Sequence, residues 1–128
     1  KRDISADDFF IGMFETALDN DEVIESVTFK KPGKAAYMKF PNPASRYAMV
    51  GVFVAKFSDG VRVAVTGAGE EGVFRHGDLE TSLSSNFSEE SVASVQISSD
   101  GLMSDIHASP DYRANLIREM TRRAVSSF

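Results

Sequence analysis

Cysteine is absent from the 128-residue sequence. Disulfides, thiolate zinc sites and iron–sulfur clusters held by this chain are therefore excluded. The absence also fits a reducing compartment, and a cytoplasmic location is expected. Histidine is scarce. His76 and His107 are the only two, and neither has a second ligand at metal-binding spacing, so no metal site is expected. Long apolar runs are missing as well. None reaches the roughly 18 residues that a membrane helix requires, and no signal peptide is evident. Positive charge is in deficit: 14 Lys and Arg against 19 Asp and Glu give a net charge of −5. That balance is a poor footprint for a phosphate backbone, so nucleic acid is not an expected partner.

What remains is the composition of one globular domain, 42% apolar and 26% charged, with enough length for one real core. The opening Lys1-Arg2-Asp3 carries no Met and reads as the start of a piece cut from a longer chain.

Ser5-Ala6-Asp7-Asp8 resembles a capping box, and Phe9, Phe10, Met13, Phe14, Ala17 and Leu18 recur at helical spacing. A helix over about 6–18 is predicted, with the phenylalanines in the core. Val23 to Phe29 is β-branched and partly alternating, which predicts a strand. A second strand is expected over 36–40, ended by Pro41-Asn42-Pro43. A third covers 47–57, and Ser58-Asp59-Gly60 turns it into the alternating strand 61–66. After Gly72 the pattern becomes helical. Leu79 and Leu83 mark one helix, and Ser88-Glu89-Glu90 caps another with Val92 and Val95 inward. Ser109-Pro110-Asp111 starts the last helix with an N-cap, a first-turn proline and a dipole-favoured acid. Its buried stripe is expected to be Tyr112, Leu116, Met120 and Ala124. Arg113, Arg118, Arg122 and Arg123 would then lie on its outer, solvated face. Strands followed by helices imply an α+β fold with an antiparallel sheet of three to four strands.

Three patterns invite a chemical reading. Gly67-Ala68-Gly69-Glu70-Glu71-Gly72 fits a dinucleotide-binding glycine motif, but no helix start follows it and two acids sit inside it. It reads as a glycine-rich turn. Asp105, His107 and Ser109 alternate, as a catalytic relay in an extended segment would. Ser109 is already engaged as an N-cap, and Asp105 fits a turn role. The phenylalanine cluster reads as core. No catalytic residue follows from these patterns. They leave an interaction or accessory domain and a small-molecule binding module open.

Several segments, in order, resemble one family. These are Asp8 to Leu18 with Asp21-Glu22-Val23-Ile24, Ala36-Tyr37-Met38-Lys39-Phe40, and Arg46-Tyr47-Ala48 with Val50 to Ala55. Val63 to Gly69, Ser104 to Ser109, Tyr112-Arg113 and Arg122-Arg123-Ala124-Val125 complete the set. Together they resemble the C-terminal domain of the FAD-binding medium subunit of molybdenum hydroxylases, the carbon monoxide dehydrogenase and xanthine dehydrogenase flavoprotein family. The resemblance spans about residues 7–125. It implies a small antiparallel sheet carrying a three-helix bundle, and residues 1–128 as one such domain without the FAD-binding domains that precede it. It implies an accessory, non-catalytic part in an oxidoreductase complex. A large subunit would hold molybdopterin, and a small subunit two [2Fe–2S] clusters. The medium subunit's FAD would pass electrons to an external acceptor. FAD would be held mainly by the other domains of the medium subunit, with Lys39 as the contact from this one. Where carbon monoxide dehydrogenases carry a basic run and an Asp, this chain has Pro41-Asn42-Pro43 and Arg46. The substrate (carbon monoxide, a purine, an N-heterocycle) would be chosen by the large subunit. The alternative is a stand-alone scaffold or protein-interaction domain with no redox role.

Overall fold

The computed structural model describes all of residues 1–128. Its amino-terminal arm holds α1 (Ala6–Phe9) and a small hairpin of β1 (Phe10–Gly12) and β2 (Glu15–Thr16). From residue 34 the chain builds β3 (Lys34–Pro41), β4 (Ala48–Phe57), β5 (Gly60–Gly69) and β6 (Gly72–Arg75). Helices α2 (Gly77–Ser85), α3 (Glu89–Ala93) and α4 (Pro110–Ser126) follow. The four strands form one antiparallel sheet in the order β3-β4-β5-β6. The fold is therefore α+β, as the order of patterns predicts.

Period-two alternation sorts the sheet into two faces. Val50, Val52 and Val54 on β4 and Val61, Val63 and Val65 on β5 are buried beneath the helices. Leu79 and Leu83 of α2, Val92 of α3 and Leu116, Ile117, Met120 and Ala124 of α4 meet them in one core. Each large side chain buried there stabilises the fold by about 1.5–3 kcal/mol. The opposite face carries Tyr37, Phe53 and Val73 with no helix above them, each about 42–46% exposed. Pairing in register sets Lys39, Gly51 and Thr66 side by side across three strands.

The first thirty-three residues depart from the sequence reading. The helix expected over 6–18 stops at Phe9, because Phe10 is already extended and Phe14 has a φ of +61°. An apolar helical stripe is stabilised mainly by the surface it packs on, and here it has none. Phe10 and Phe14 consequently lie in solvent, and the cluster with Phe9 is not core. The strand expected over 23–29 has no partner strand and takes up no regular structure. A further departure is β6, which forms where a turn into helix was expected. Its Phe74 pairs with Val65 and packs against the core.

The last helix is placed as predicted, with the Ser109 hydroxyl accepting from Tyr112 N. Its buried face is rotated from the expected one. Leu116, Met120 and Ala124 are buried, but Tyr112 sits at the margin, edge-on to Phe40 at 6.4 Å. Arg113, placed in solvent by the sequence reading, is only 2% exposed. The other arginines are tied rather than free. Arg118 donates to Val95 O, Arg122 pairs with Glu89 and Glu119, and Arg123 pairs with Glu119.

Candidate functional site

The prolines at 41 and 43 end β3 and force a tight return into β4. Asn42 organises that return. Its side-chain oxygen accepts from Ala44 N at 3.0 Å and Ser45 N at 3.3 Å, and its backbone carbonyl accepts from Arg46 N at 2.9 Å. Arg46 adopts a φ of +65°, a conformation that costs a non-glycine residue free energy and is held only by its surroundings. Lys39 completes the tie by donating from Nζ to Arg46 O at 3.0 Å. Ser45, Arg46 and Tyr47 are thus folded back beside the end of the sheet.

A shallow open depression of about 560 Å³ results, lined by Tyr37, Lys39, Ser45, Arg46, Tyr47 and Thr66, with Ala48 and Gly67 at its end. Gly51, in register with both Lys39 and Thr66, lies beneath it. A side chain at Gly51 would collide with Tyr37 Oη and come within 2.8 Å of Thr66 Cγ2. The Tyr37 ring therefore leans across Gly51 and closes the floor. Gly67 is fixed by a similar constraint, since at φ +76° a Cβ would run into Ala48 O. The lining contains two cations and no carboxylate, in a chain of net charge −5. A lysine ammonium has three donors and Lys39 uses one on Arg46 O, so two remain for an anionic or carbonyl-rich ligand.

Behind Tyr47 and Gly67 a second cleft reaches Asp105, His107 and Arg113. Arg113 Nη1 donates to Met49 O at 2.7 Å and Gly67 O at 3.0 Å, while Nη2 donates to Asp105 at 2.8 Å. The guanidinium thereby pins the start of α4 to the start of β4 and the end of β5, at the second cleft. Asp105 also accepts from His107 N and Ala108 N, both at 2.9 Å. Those backbone donors, with the Arg113 charge, hold its carboxyl below the usual carboxylate range. Asp105, His107 and Ser109 form no relay: Asp105 braces a loop, Ser109 caps α4 and the His107 side chain is exposed. His76 caps α2, and burial pushes its imidazole below its ordinary pKa. No group of three or more His, Asp or Glu side chains could hold a metal ion.

The glycine motif at 67–72 is the β5–β6 hairpin, with Gly69 paired to Gly72 and Glu70-Glu71 at the tip. No helix opens within it, so no phosphate-binding N-terminus is present there. Of the lining residues, Lys39 lies in a segment singled out by its resemblance. Arg46 and Thr66 also lie in such segments but were not singled out as site residues, and Ser45 carried no signal. The proline pair was the one local hint that residues 44–47 would be turned back onto β3.

The fold and site describe an α+β domain whose cationic depression lies at one end of a sheet otherwise bare on that face. Comparison with known proteins finds two relatives. The chain is 34% identical, over 98% of its length, to the nicotine 6-hydroxylase medium subunit of Paenarthrobacter nicotinovorans. It is 25% identical, over 99% of its length, to the carbon monoxide dehydrogenase medium chain of Hydrogenophaga pseudoflava. It covers 47% and 48% of those two proteins, so it spans about half the length of the curated relatives it matches. No family model and no solved structure matches it. The chain is thus similar, over nearly its whole length, to part of a hydroxylase medium subunit and of a dehydrogenase medium chain.

Proposed function

We propose that the chain is the C-terminal domain of a FAD-carrying medium subunit in a molybdenum hydroxylase complex. It is an accessory domain with no reaction of its own. The observation that carries this reading is the acid-free depression around Lys39, found in a chain 34% identical over 98% of its length to a hydroxylase medium subunit. The donor set fits a flavin edge. Two spare ammonium donors, together with hydroxyls from Tyr37, Ser45 and Thr66, suit the carbonyl oxygens and developing negative charge of a flavin ring. A phosphate cradle is lacking, so the rest of the subunit holds most of the cofactor. The chemistry that FAD supplies when bound is electron transfer from the [2Fe–2S] clusters of a small subunit to an external acceptor. Substrate is oxidised in a molybdopterin large subunit.

The arm favours the same placement. Phe10, Phe14, Val23, Val27 and Phe29 are all more than half exposed, a concentration of exposed large apolar side chains within one stretch of the sequence. In the subunit these side chains are covered by the flavin-binding domains. An interaction domain without a redox role would also use them, but it would have no use for the depression.

Replacing Lys39 in the intact subunit separates the two readings. Lys39→Ala is expected to lower flavin content after gel filtration or to shift the flavin midpoint potential. Unchanged content together with an unchanged potential would leave Lys39 as an ordinary charged residue guarding the exposed edge of β3.

A further inference from the structure

We infer that the end of the sheet where β3 starts and β4 finishes is a docking surface for an acidic face of another subunit. The inference rests on the complex proposed above and gives it a contact site. Three observations carry it. First, Lys34 and Lys56 stand opposite each other across β3 and β4. Like charges directly opposite on a sheet are destabilising, and neither ammonium has a carboxylate partner within this chain. Second, a pair of rings holds both cations at that end. Phe87 and Phe128 lie with their centroids 4.9 Å apart. Lys56 Nζ is 4.5 Å from the Phe87 centroid, and Lys34 Nζ is 6.0 Å from that of Phe128. Lys34 donates once, to Phe128 O at 3.1 Å, and the other N–H donors of the two ammonium groups stay free. Third, the acids close by are taken. Gly33 N donates to Lys56 O at 2.9 Å, which brings Lys30 and Lys31 to the same end. Asp59 at the hairpin tip is paired with Lys30, and Glu89 at the start of α3 with Arg122. Positive charge thus gathers here in a chain of net charge −5. Across an interface such a patch is matched by negative charge. Phe87 and Phe128 pack against the core, so the surface presents charge and has no apolar anchor for a bilayer. Lys34 lies roughly 17 Å along β3 from Lys39 and on the other face of the sheet, so a partner docked here leaves the depression open.

The test uses the purified complex and Lys56→Glu. That change sets opposite charges across the two strands, which offsets the lost contact with Phe87 and keeps the domain folded. Lys34→Glu makes the same exchange from the other strand, so the outcome does not depend on one variant. Assembly is followed by sedimentation velocity as sodium chloride is raised. Both variant complexes are expected to come apart at several-fold lower salt than wild type, while Lys56→Arg, which keeps the charge, matches wild type. The melting midpoint of the free medium subunit should stay level or rise in Lys56→Glu. Assembly equal to wild type at every salt concentration would overturn the inference and leave the medium-subunit reading standing. A lowered midpoint with that unchanged assembly would reduce Lys56 to a cover for Phe87. Self-association of the free medium subunit, or its binding to phosphatidylserine vesicles, lost in Lys56→Glu while the complex is unaffected, would assign the surface to a second copy or to a membrane and would also overturn it. A medium subunit that assembles with no other chain would overturn both readings.

Discussion

Val23 and Val65 are the same residue in the same kind of β-branched, alternating segment, and they end in opposite environments. Val65 is 0% exposed and Val23 is 87% exposed. The difference lies in the neighbours. Val65 pairs with Val52 on one side and Phe74 on the other, and lies beneath the helices. The segment of Val23 has no strand beside it and no helix above it. A pattern of side chains specifies a face, and the face becomes an element only when a complementary surface is present. Residues 34–128 carry that surface within themselves. Residues 1–33 do not. They attach to the folded unit through a backbone hydrogen bond from Gly33 N to Lys56 O, contacts of β1 with β6, and two exposed ion pairs, Arg75 with Asp7 and Lys30 with Asp59, which contribute little to stability.

The largest expected effect tests this contrast with one truncation in each region. Leu116→Ala empties a site where α4 meets the core, and should cost about 2–5 kcal/mol including its cavity term. Phe14→Ala removes a larger side chain from a position in solvent, and should change the stability of the same protein by less than about 0.5 kcal/mol. Urea unfolding of the two variants measures both. A loss at Phe14 comparable to that at Leu116 would mean that the arm is folded onto the unit in solution. The contrast between the regions would then collapse.

Arg113 and Arg2 sharpen the comparison for charged residues. Arg2 pairs with Glu22 within the arm, in solvent. Arg113 is inside, and its removal leaves Met49 O and Gly67 O without their donor. Unsatisfied buried acceptors cost about 1–3 kcal/mol each, so Arg113→Ala should lose on the order of 3 kcal/mol. Asp105, its third partner, is partly solvated and adds little to that loss. Arg2→Ala should leave the thermal midpoint within experimental scatter. Because Gly67 lies at the end of the depression, Arg113→Lys, which keeps the charge but not the fork, should on the flavin reading give a folded protein with weakened flavin retention in the intact subunit. Retention equal to wild type would restrict Arg113 to a structural tie.

The sequence was legible where a segment's own pattern and its partner's pattern agree. β4, β5 and the hairpin at Asp59-Gly60 follow from alternation, and α4 follows from Ser109-Pro110-Asp111 and the spacing of Leu116, Met120 and Ala124. The arm was misread because the helical spacing from Phe9 to Leu18 is satisfied only by a surface that these 128 residues do not supply. Arg113 was misread for a different reason. Its neighbours Asp111 and Asn115 are exposed, and nothing local shows that two carbonyls and Asp105 converge at that turn. The family and Lys39 were reached through resemblance. The floor of the site was not, because Gly51, Thr66 and Tyr37 come from three strands and meet only through register.

The smallest effect isolates a proton. The arm contains no histidine, so a histidine-linked pH response belongs wholly to the folded unit. His76 caps α2 by accepting from Leu79 N through Nδ1. Burial is the main cause that holds its pKa below the ordinary value of about 6.5. A group with a depressed folded pKa binds fewer protons in the folded state than in the unfolded state. Its contribution is therefore fully present above the unfolded pKa and is lost as pH falls through the folded one. Protonation also removes the lone pair that makes the cap, and a lost N-cap costs about 0.5–2 kcal/mol. Unfolding free energy should thus decline from pH 7.5 toward pH 5 by an amount in the lower part of that range. His76→Asn keeps a capping side chain that does not titrate, and should flatten the decline. If wild type and His76→Asn fall in parallel, the proton is taken up elsewhere in the folded unit. If the decline persists only when residues 1–33 are present, the arm has a pH-dependent contact with the unit, and the independence of the two regions fails.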